Sequence, residues 1–198
     1  MLISSAYREL NEKMHQEKPS YGTTGETFAS HIARLAEQSR SKSILDYGCG
    51  KRTLERALLA HWMNVPLAQI VNYDPCIEGL GDKKPCDLVV CIDVMEHIEP
   101  ESLEDVLKDI NALMNKVGYF TIHTQPAMKH LADGRNAHLI QQPYTWWSEK
   151  LSKHFWITKM VNMGTDLLFT VGKNQRAAME YLKNLNQVLS VAGKDQRW

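Results

Sequence analysis

Apolar runs alternating with stretches of helical spacing predict an α/β fold: a doubly wound, mostly parallel sheet ending in an antiparallel hairpin, with a shortened third-strand region. Three observations predict it. A strand-like run at 43–46 ends in a glycine turn and passes directly into a helix. The run at 87–92, Asp-Leu-Val-Val-Cys-Ile, has the character of a parallel strand buried on both faces. Two short runs at 155–161 and 166–171 flank Asn162-Met163-Gly164-Thr165 as the arms of a hairpin do.

In chain order, Leu2, Ile3, Ala6, Tyr7, Leu10 and Met14 recur at helical spacing and predict an amphipathic leader helix that Pro19 stops. A loop of small hydroxyl residues around Tyr21 follows, and Thr24 or Thr27 is positioned to cap a second helix running to about Gln38. After the first strand and glycine turn, Leu54, Ala57, Leu58 and His61-Trp62 mark a helix, and 69–73 a second strand ending in Asp74-Pro75. The stretch 75–85 is too short for a further helix and strand, so a loop and an open pocket are expected there, with Asp82 a candidate contributor. Ser102 is the candidate cap of a helix to about Met114, and Gly118 precedes a strand at 119–124. Residues 125–142 have no period; 144–154 reads as a helix and 174–191 as a terminal one.

The 198 residues read as one domain, 1–198, with a helical cover at 1–40 and a helix and tail at 174–198. Formal net charge is zero and no Lys/Arg run exceeds a pair, which argues against duplex DNA or an anionic membrane as partner and for a small or nucleotide-like one. The cysteines Cys49, Cys76, Cys86 and Cys91 form no Cys-x-x-Cys pair, and the N-terminus has no signal-peptide pattern. Free buried thiols and a cytoplasmic location are the expectation.

The stretch Ser-Ile-Leu-Asp-Tyr-Gly-Cys-Gly-Lys-Arg at 43–52 places Gly48 and Gly50 where backbone can approach a ligand, and the following helix would point free N–H groups at it. Asp74, about two dozen positions on, is placed to accept hydrogen bonds from ribose hydroxyls, or else to cap a turn with Pro75. A related glycine turn serves nicotinamide and flavin enzymes. Taken with the buried central strand and the final hairpin, the order resembles the class I S-adenosylmethionine-dependent methyltransferases over about 27–173. It departs from their pattern in Arg52, where a third glycine is common. The resemblance implies a Rossmann-like fold, S-adenosylmethionine as cofactor, and a cofactor site of Asp46, Tyr47, Gly48, Cys49, Gly50, Asp74, Pro75, Ile92 and Asp93. It also implies that the pre-strand helix and Tyr21 lie over the cofactor. A catalytically degenerate binding module acting through a protein partner is the alternative.

Asp93-x-x-Glu96-His97 is similar to the Glu-x-x-Glu-His of ubiquinone-pathway and small-RNA O-methyltransferases, which implies a divalent metal ion held by Asp93, Glu96, His97 and His138. The plainer alternative is that Glu96 and His97 cap and brace the next helix. The Asn/Asp-Pro-Pro-aromatic motif of DNA amino-methyltransferases is absent, which disfavours that chemistry. Residues 132–138 are dense in polar groups that can reach a ligand, and the stretch Asp133 to Ile140 resembles that of small bacteriophage and bacterial methyltransferase-like proteins. In it, His138 is a candidate general base and Arg135, fixed by Asp133 or Asn136, a candidate grip on an anionic acceptor; Glu96 and His97 complete the catalytic set. His123 reads as a satisfied core histidine, and Trp146-Trp147 as core and lid packing. O-methylation of a small polar or nucleotide-like acceptor is the expected activity.

Overall fold

The computed structural model describes residues 1–61 and 69–192. Trp62 and the end of the tail lie outside the described residues. Six strands form one sheet in the order β2-β1-β3-β4-β6-β5: β1 (Ser43–Tyr47), β2 (Gln69–Tyr73), β3 (Cys86–Ile92), β4 (Met114–His123), β5 (Trp156–Asn162) and β6 (Asp166–Gly172). The first four are parallel; β6 runs antiparallel to β4 and pairs with β5 as the terminal hairpin. Residues 74–85 form a loop, so the sheet ends at β2.

Strand alternation explains the two layers. Ile44, Leu88 and Val90 point to the face covered by α2 (Ala29–Gln38), α3 (Thr53–His61) and α6 (Gln175–Ala192), packing on Ile32, Leu54, Leu58 and Tyr181. Leu45, Val89 and Cys91 point to the other face, against α4 (Leu103–Leu113) and α5 (Tyr144–Ser152), where Val106, Leu107 and fully buried Trp147 lie. A central strand used on both faces needs the continuous apolar run read at 87–92. The leader helix, α1 (Ser5–Glu17), belongs to neither layer; its Tyr7 and Met14 pack with Leu131 of the 125–142 loop across the sheet's C-terminal edge.

Several boundaries differ from expectation. Neither Thr24 nor Thr27 caps α2: Thr24–Phe28 is a 3₁₀ turn that leads straight in, and Thr53 supplies the hydroxyl that receives the Glu26 N–H. Ser102 makes no side-chain cap either, because a 3₁₀ turn, Pro100–Ser102, already starts the coil of α4. Strand β4 begins at Met114 rather than near Gly118, since α4 passes into it without a loop.

Arg52 has φ of 58°, the left-handed conformation in which glycine is at ease, and its guanidinium is paired to Glu55 at 2.6 Å. This explains why a glycine suits that position. Arg52→Gly and Arg52→Ala both lose the exposed ion pair, but only alanine keeps the backbone penalty. The alanine variant should be the less stable by about 1 kcal/mol in urea denaturation.

Candidate functional site

The site begins where β1 ends. Gly48 (φ 82°) and Gly50 (φ 49°) turn the chain sharply, and each has a steric as well as a conformational reason to be glycine. A Cβ on Gly48 would stand 2.4 Å from Val94 Cγ2, and one on Gly50 2.4 Å from the Gly22 carbonyl oxygen. The close approaches are thus made by protein on both sides of the turn.

The amides here are spent internally. Gly48 and Cys49 donate to the Tyr73 carbonyl at 2.7 and 3.0 Å, and Lys51 to the Gly22 carbonyl at 2.8 Å. The turn's own amides are thus taken by the Gly22 carbonyl and β2; they precede α3, whose first-turn N–H groups at Thr53, Leu54 and Glu55 are not among them. Asp74, buried, accepts from Gly50 N–H through Oδ2 (3.1 Å) and from Cys76 N–H through Oδ1 (2.9 Å). It caps its own turn and ties β2 to the glycine turn at once, so the two sequence readings of Asp74 are compatible.

Above this turn lies a cavity of ≈ 540 Å³. Asp46, Tyr47, Gly48, Cys49 and Gly50 line it from β1 and its turn. Asp74 and Pro75 line it from the end of β2, and Ile92 and Asp93 from the end of β3. All nine residues expected at a cofactor share this cavity; Asp82 is exposed and does not line it. The carboxyl of Asp46 is pushed up to about 7 by burial first and then by the nearby charge of Asp74. Cys49 and Cys76 also line the cavity, but burial raises both thiols well above the ordinary range, as suits inert buried cysteines.

At the far end Glu96, His97 and His138 converge, their ligating atoms all within 4.8 Å of one another. Glu96 is fully buried. Its Oε1 accepts the His123 N–H (2.9 Å) and its Oε2 has no partner, and burial, then Asp93, pushes its carboxyl up to about 8. His97 Nδ1 is 2.8 Å from the Ala137 carbonyl and His138 Nδ1 2.6 Å from that of Gln125. A carbonyl only accepts, so each Nδ1 carries the proton and each Nε2 keeps its lone pair. Burial, with His138 alongside, lowers His97 to about 3 and keeps it neutral. Neither Glu96 nor His97 caps α4, as the plainer reading had it; they brace β4 and the 125–142 loop.

Three expectations are corrected by placement. Asp93 stands outside the converging trio, because its carboxylate accepts the Thr121 hydroxyl at 2.7 Å while its backbone sits at φ 51°. Arg135 does not line the cavity: Asp133 holds it at 2.8 Å, and its guanidinium lies over the Tyr7 ring. His123 is a lining residue rather than a core one, with Nδ1 2.7 Å from Asp166 Oδ1 and its ring 5.2 Å from that of His138. A histidine closing a strand at the ligand edge of the sheet was the available signal. Trp147 is core and Trp146 packs against it; neither lines the cavity.

The sequence missed what α1 contributes. Tyr7, Asn11 and His15 line the roof; the Tyr7 hydroxyl donates to the His97 carbonyl, and Asn11 accepts the Tyr21 hydroxyl at 3.0 Å. Tyr21 itself lines the cavity between His15 and His97.

The comparisons with known proteins agree with this architecture. The structure resembles 1,6-didemethyltoxoflavin-N1-methyltransferase of Burkholderia thailandensis, solved with 1,6-didemethyltoxoflavin and S-adenosylhomocysteine, at TM-score 0.59 and 16% identity over 86% of this chain and 90% of that one. It also resembles an S-adenosylmethionine-dependent methyltransferase of Clostridium acetobutylicum (TM-score 0.53, 13% identity, 73% and 90% covered). Mitomycin 7-O-methyltransferase is a third (0.57, 15%, 81% and 59%). At these identities the likeness is one of fold. No curated protein sequence matches the chain. The profile of the methyltransferase domain matches residues 21–163, most of the chain's length, and the chain therefore belongs to the methyltransferase-domain family and is an enzyme.

Proposed function

We propose that the cavity holds S-adenosylmethionine, its methionyl part over the glycine turn and its ribose against Asp74, and that its methyl group passes to a hydroxyl of a small polar or nucleotide-like acceptor. The observation that carries this is Asp74. A carboxylate offers about four lone-pair positions; Gly50 and Cys76 occupy one on each oxygen. One acceptor position per oxygen remains for the two neighbouring hydroxyls of a ribose. The S-adenosylhomocysteine held by the protein of like fold agrees with this reading.

Asp46 suits the methionyl ammonium. Its carboxyl, at about 7, is largely protonated at pH 6, and a cation beside it favours the ionised form, so binding expels a proton. Affinity for S-adenosylhomocysteine should accordingly rise between pH 6 and 8, by at most tenfold per unit, and level off above. Calorimetry at three pH values checks this, and Asp46→Asn should flatten the curve.

At the other end the residues favour oxygen as acceptor. A hydroxyl must lose a proton as it attacks, whereas a neutral amine attacks through its lone pair. An imidazole with a free Nε2, as His138 has, serves the first case. Bound in the cavity, S-adenosylmethionine would supply a sulfonium methyl group, transferred to the acceptor oxygen with the carbon–sulfur electron pair left on sulfur, and His138 Nε2 would receive the hydroxyl proton. The protein's part is to position the two reactants and exclude water, the roof being α1 and the 125–142 loop. A cavity roofed in this way and a chain of zero net charge do not suit duplex DNA. Incubation with methyl-labelled cofactor and the small-molecule fraction of a cell extract tests the reading. Label is expected in a small methyl ether, and label confined to nucleic acid or protein would contradict it.

A second reading adds a divalent ion, favoured by the partnerless buried Oε2 of Glu96. With Nε2 of His97 and of His138, each oriented by an Nδ1–H to a backbone carbonyl, it forms a two-nitrogen, one-oxygen donor set that fits such an ion. Asp93 is not in that set. When bound, the ion lowers the pKa of a coordinated hydroxyl. Dialysis against manganese or zinc followed by elemental analysis should find about one ion per chain, lost in Glu96→Gln.

A further inference from the structure

We infer that His15, on the leader helix, is a ligand-binding residue of the cofactor cavity that completes the ribose cradle from above Asp74; this rests on the cofactor reading proposed above. His15 lies on the last turn of α1, its side chain only 12% exposed, and it lines the cavity. Neither ring nitrogen is spent. Nδ1 is buried with no partner, and Nε2 stands 3.9 Å from Asp74 Oδ2, beyond hydrogen-bond length.

Of the other polar groups around the cavity, Asp74 is paired by two amides, His97 and His138 by carbonyls and Tyr21 by Asn11, and only Glu96 Oε2, at the other end, is buried like His15 Nδ1 without a partner among the described residues. Burial holds the imidazole's pKa below its ordinary value even beside Asp74, so at neutral pH it carries one N–H and one lone pair. A neutral N–H and a carboxylate oxygen separated by this gap accommodate one hydroxyl, whose oxygen accepts from Nε2–H and whose proton is donated to Asp74. A ribose hydroxyl has that character. An apolar group does not.

The backbone holds His15 where this requires. Lys51, in the glycine turn, donates from Nζ to the His15 carbonyl at 3.1 Å and to that of Lys18 at 3.2 Å, so the end of α1 is fastened to the turn the cofactor would lie on. The Tyr21 ring, 4.7 Å away by centroid, limits the imidazole's rotation. Helix α1 thereby supplies a recognition group as well as a roof.

The test is a cycle between protein and ligand. Affinities of wild type, His15→Ala and His15→Gln are measured by calorimetry for S-adenosylhomocysteine and for its 2′,3′-dideoxyribose analogue. His15→Ala should lose about five- to tenfold for the natural ligand and nothing further for the analogue, and His15→Gln, which keeps a donor, should recover part of the loss. Equal losses for both ligands would assign His15 to holding the helix and overturn the inference, while wild-type affinity in His15→Ala would overturn it outright. A wild-type protein that binds neither ligand removes the cofactor reading itself, a result distinct from the other two.

Discussion

Replacing Asp74 by alanine should reduce affinity for S-adenosylhomocysteine more than a hundredfold and also weaken the fold by about 2–4 kcal/mol. The first effect comes from losing the two charge-assisted hydrogen bonds proposed to the ribose, each on the order of 1.5–3 kcal/mol. The second comes from the amides of Gly50 and Cys76, which lose the carboxylate that accepts from them in a buried site. The conservative variant separates the two. Asp74→Asn keeps one oxygen for one of the amides and should recover much of the stability while still binding poorly, because an amide cannot accept from the turn and from a diol together. Calorimetry and urea denaturation on the same preparations give both numbers. If Asp74→Ala binds as tightly as wild type, Asp74 supports only the turn and the ribose assignment is wrong.

The other large effect is expected at His138. Its alanine variant should lower kcat by about 10²–10⁴, with S-adenosylhomocysteine affinity little changed, since His138 lies at the opposite end of the cavity from Asp74. The imidazole is the group proposed to receive the acceptor's proton, and also one of the three donors to an ion. The two roles differ in what restores activity. Exogenous imidazole should partly rescue an ion-free His138→Ala enzyme through proton acceptance alone, whereas activity that depends on added manganese or zinc, and is equally lost in Glu96→Gln, would assign His138 to the ion. Undiminished turnover in His138→Ala would exclude both roles.

Much of this molecule was legible in the chain, for local reasons. Strand β3 was found because a parallel strand buried on both faces needs uninterrupted apolar side chains, β1 and the edge strand β2 because each is a short run that ends in turn residues, and the stretch 75–85 was too short to hold a further helix and strand wherever it lay. The glycine turn was legible because Gly48 and Gly50 follow a strand directly, although the sequence could not say that Val94 and Gly22 are what forbid a side chain there. The nine expected cofactor residues share one cavity because they sit at the C-terminal ends of neighbouring parallel strands, where a doubly wound fold gathers its loops.

What escaped the sequence depended on contacts between residues far apart in it. Thr24, Thr27 and Ser102 are good caps by type, but 3₁₀ turns led into the helices and left them no role as caps. Arg135 looked like an anion grip until Asp133, two residues away, took it; His123 looked like core until the hairpin carried Asp166 to it. Asp93 shares the Glu96-His97 segment and yet turns to Thr121, away from the trio that His138 joins. The sequence by itself determined the class of fold and the edge of the sheet where a ligand would lie, because strand burial and turn geometry are short-range properties. Only the tertiary structure decided which polar groups reach that edge unpaired. Packing α1 and the 125–142 loop over it leaves Glu96 Oε2 and His15 Nδ1 buried against the cavity without partners, and the cost of such groups is relieved where a ligand can pair with them.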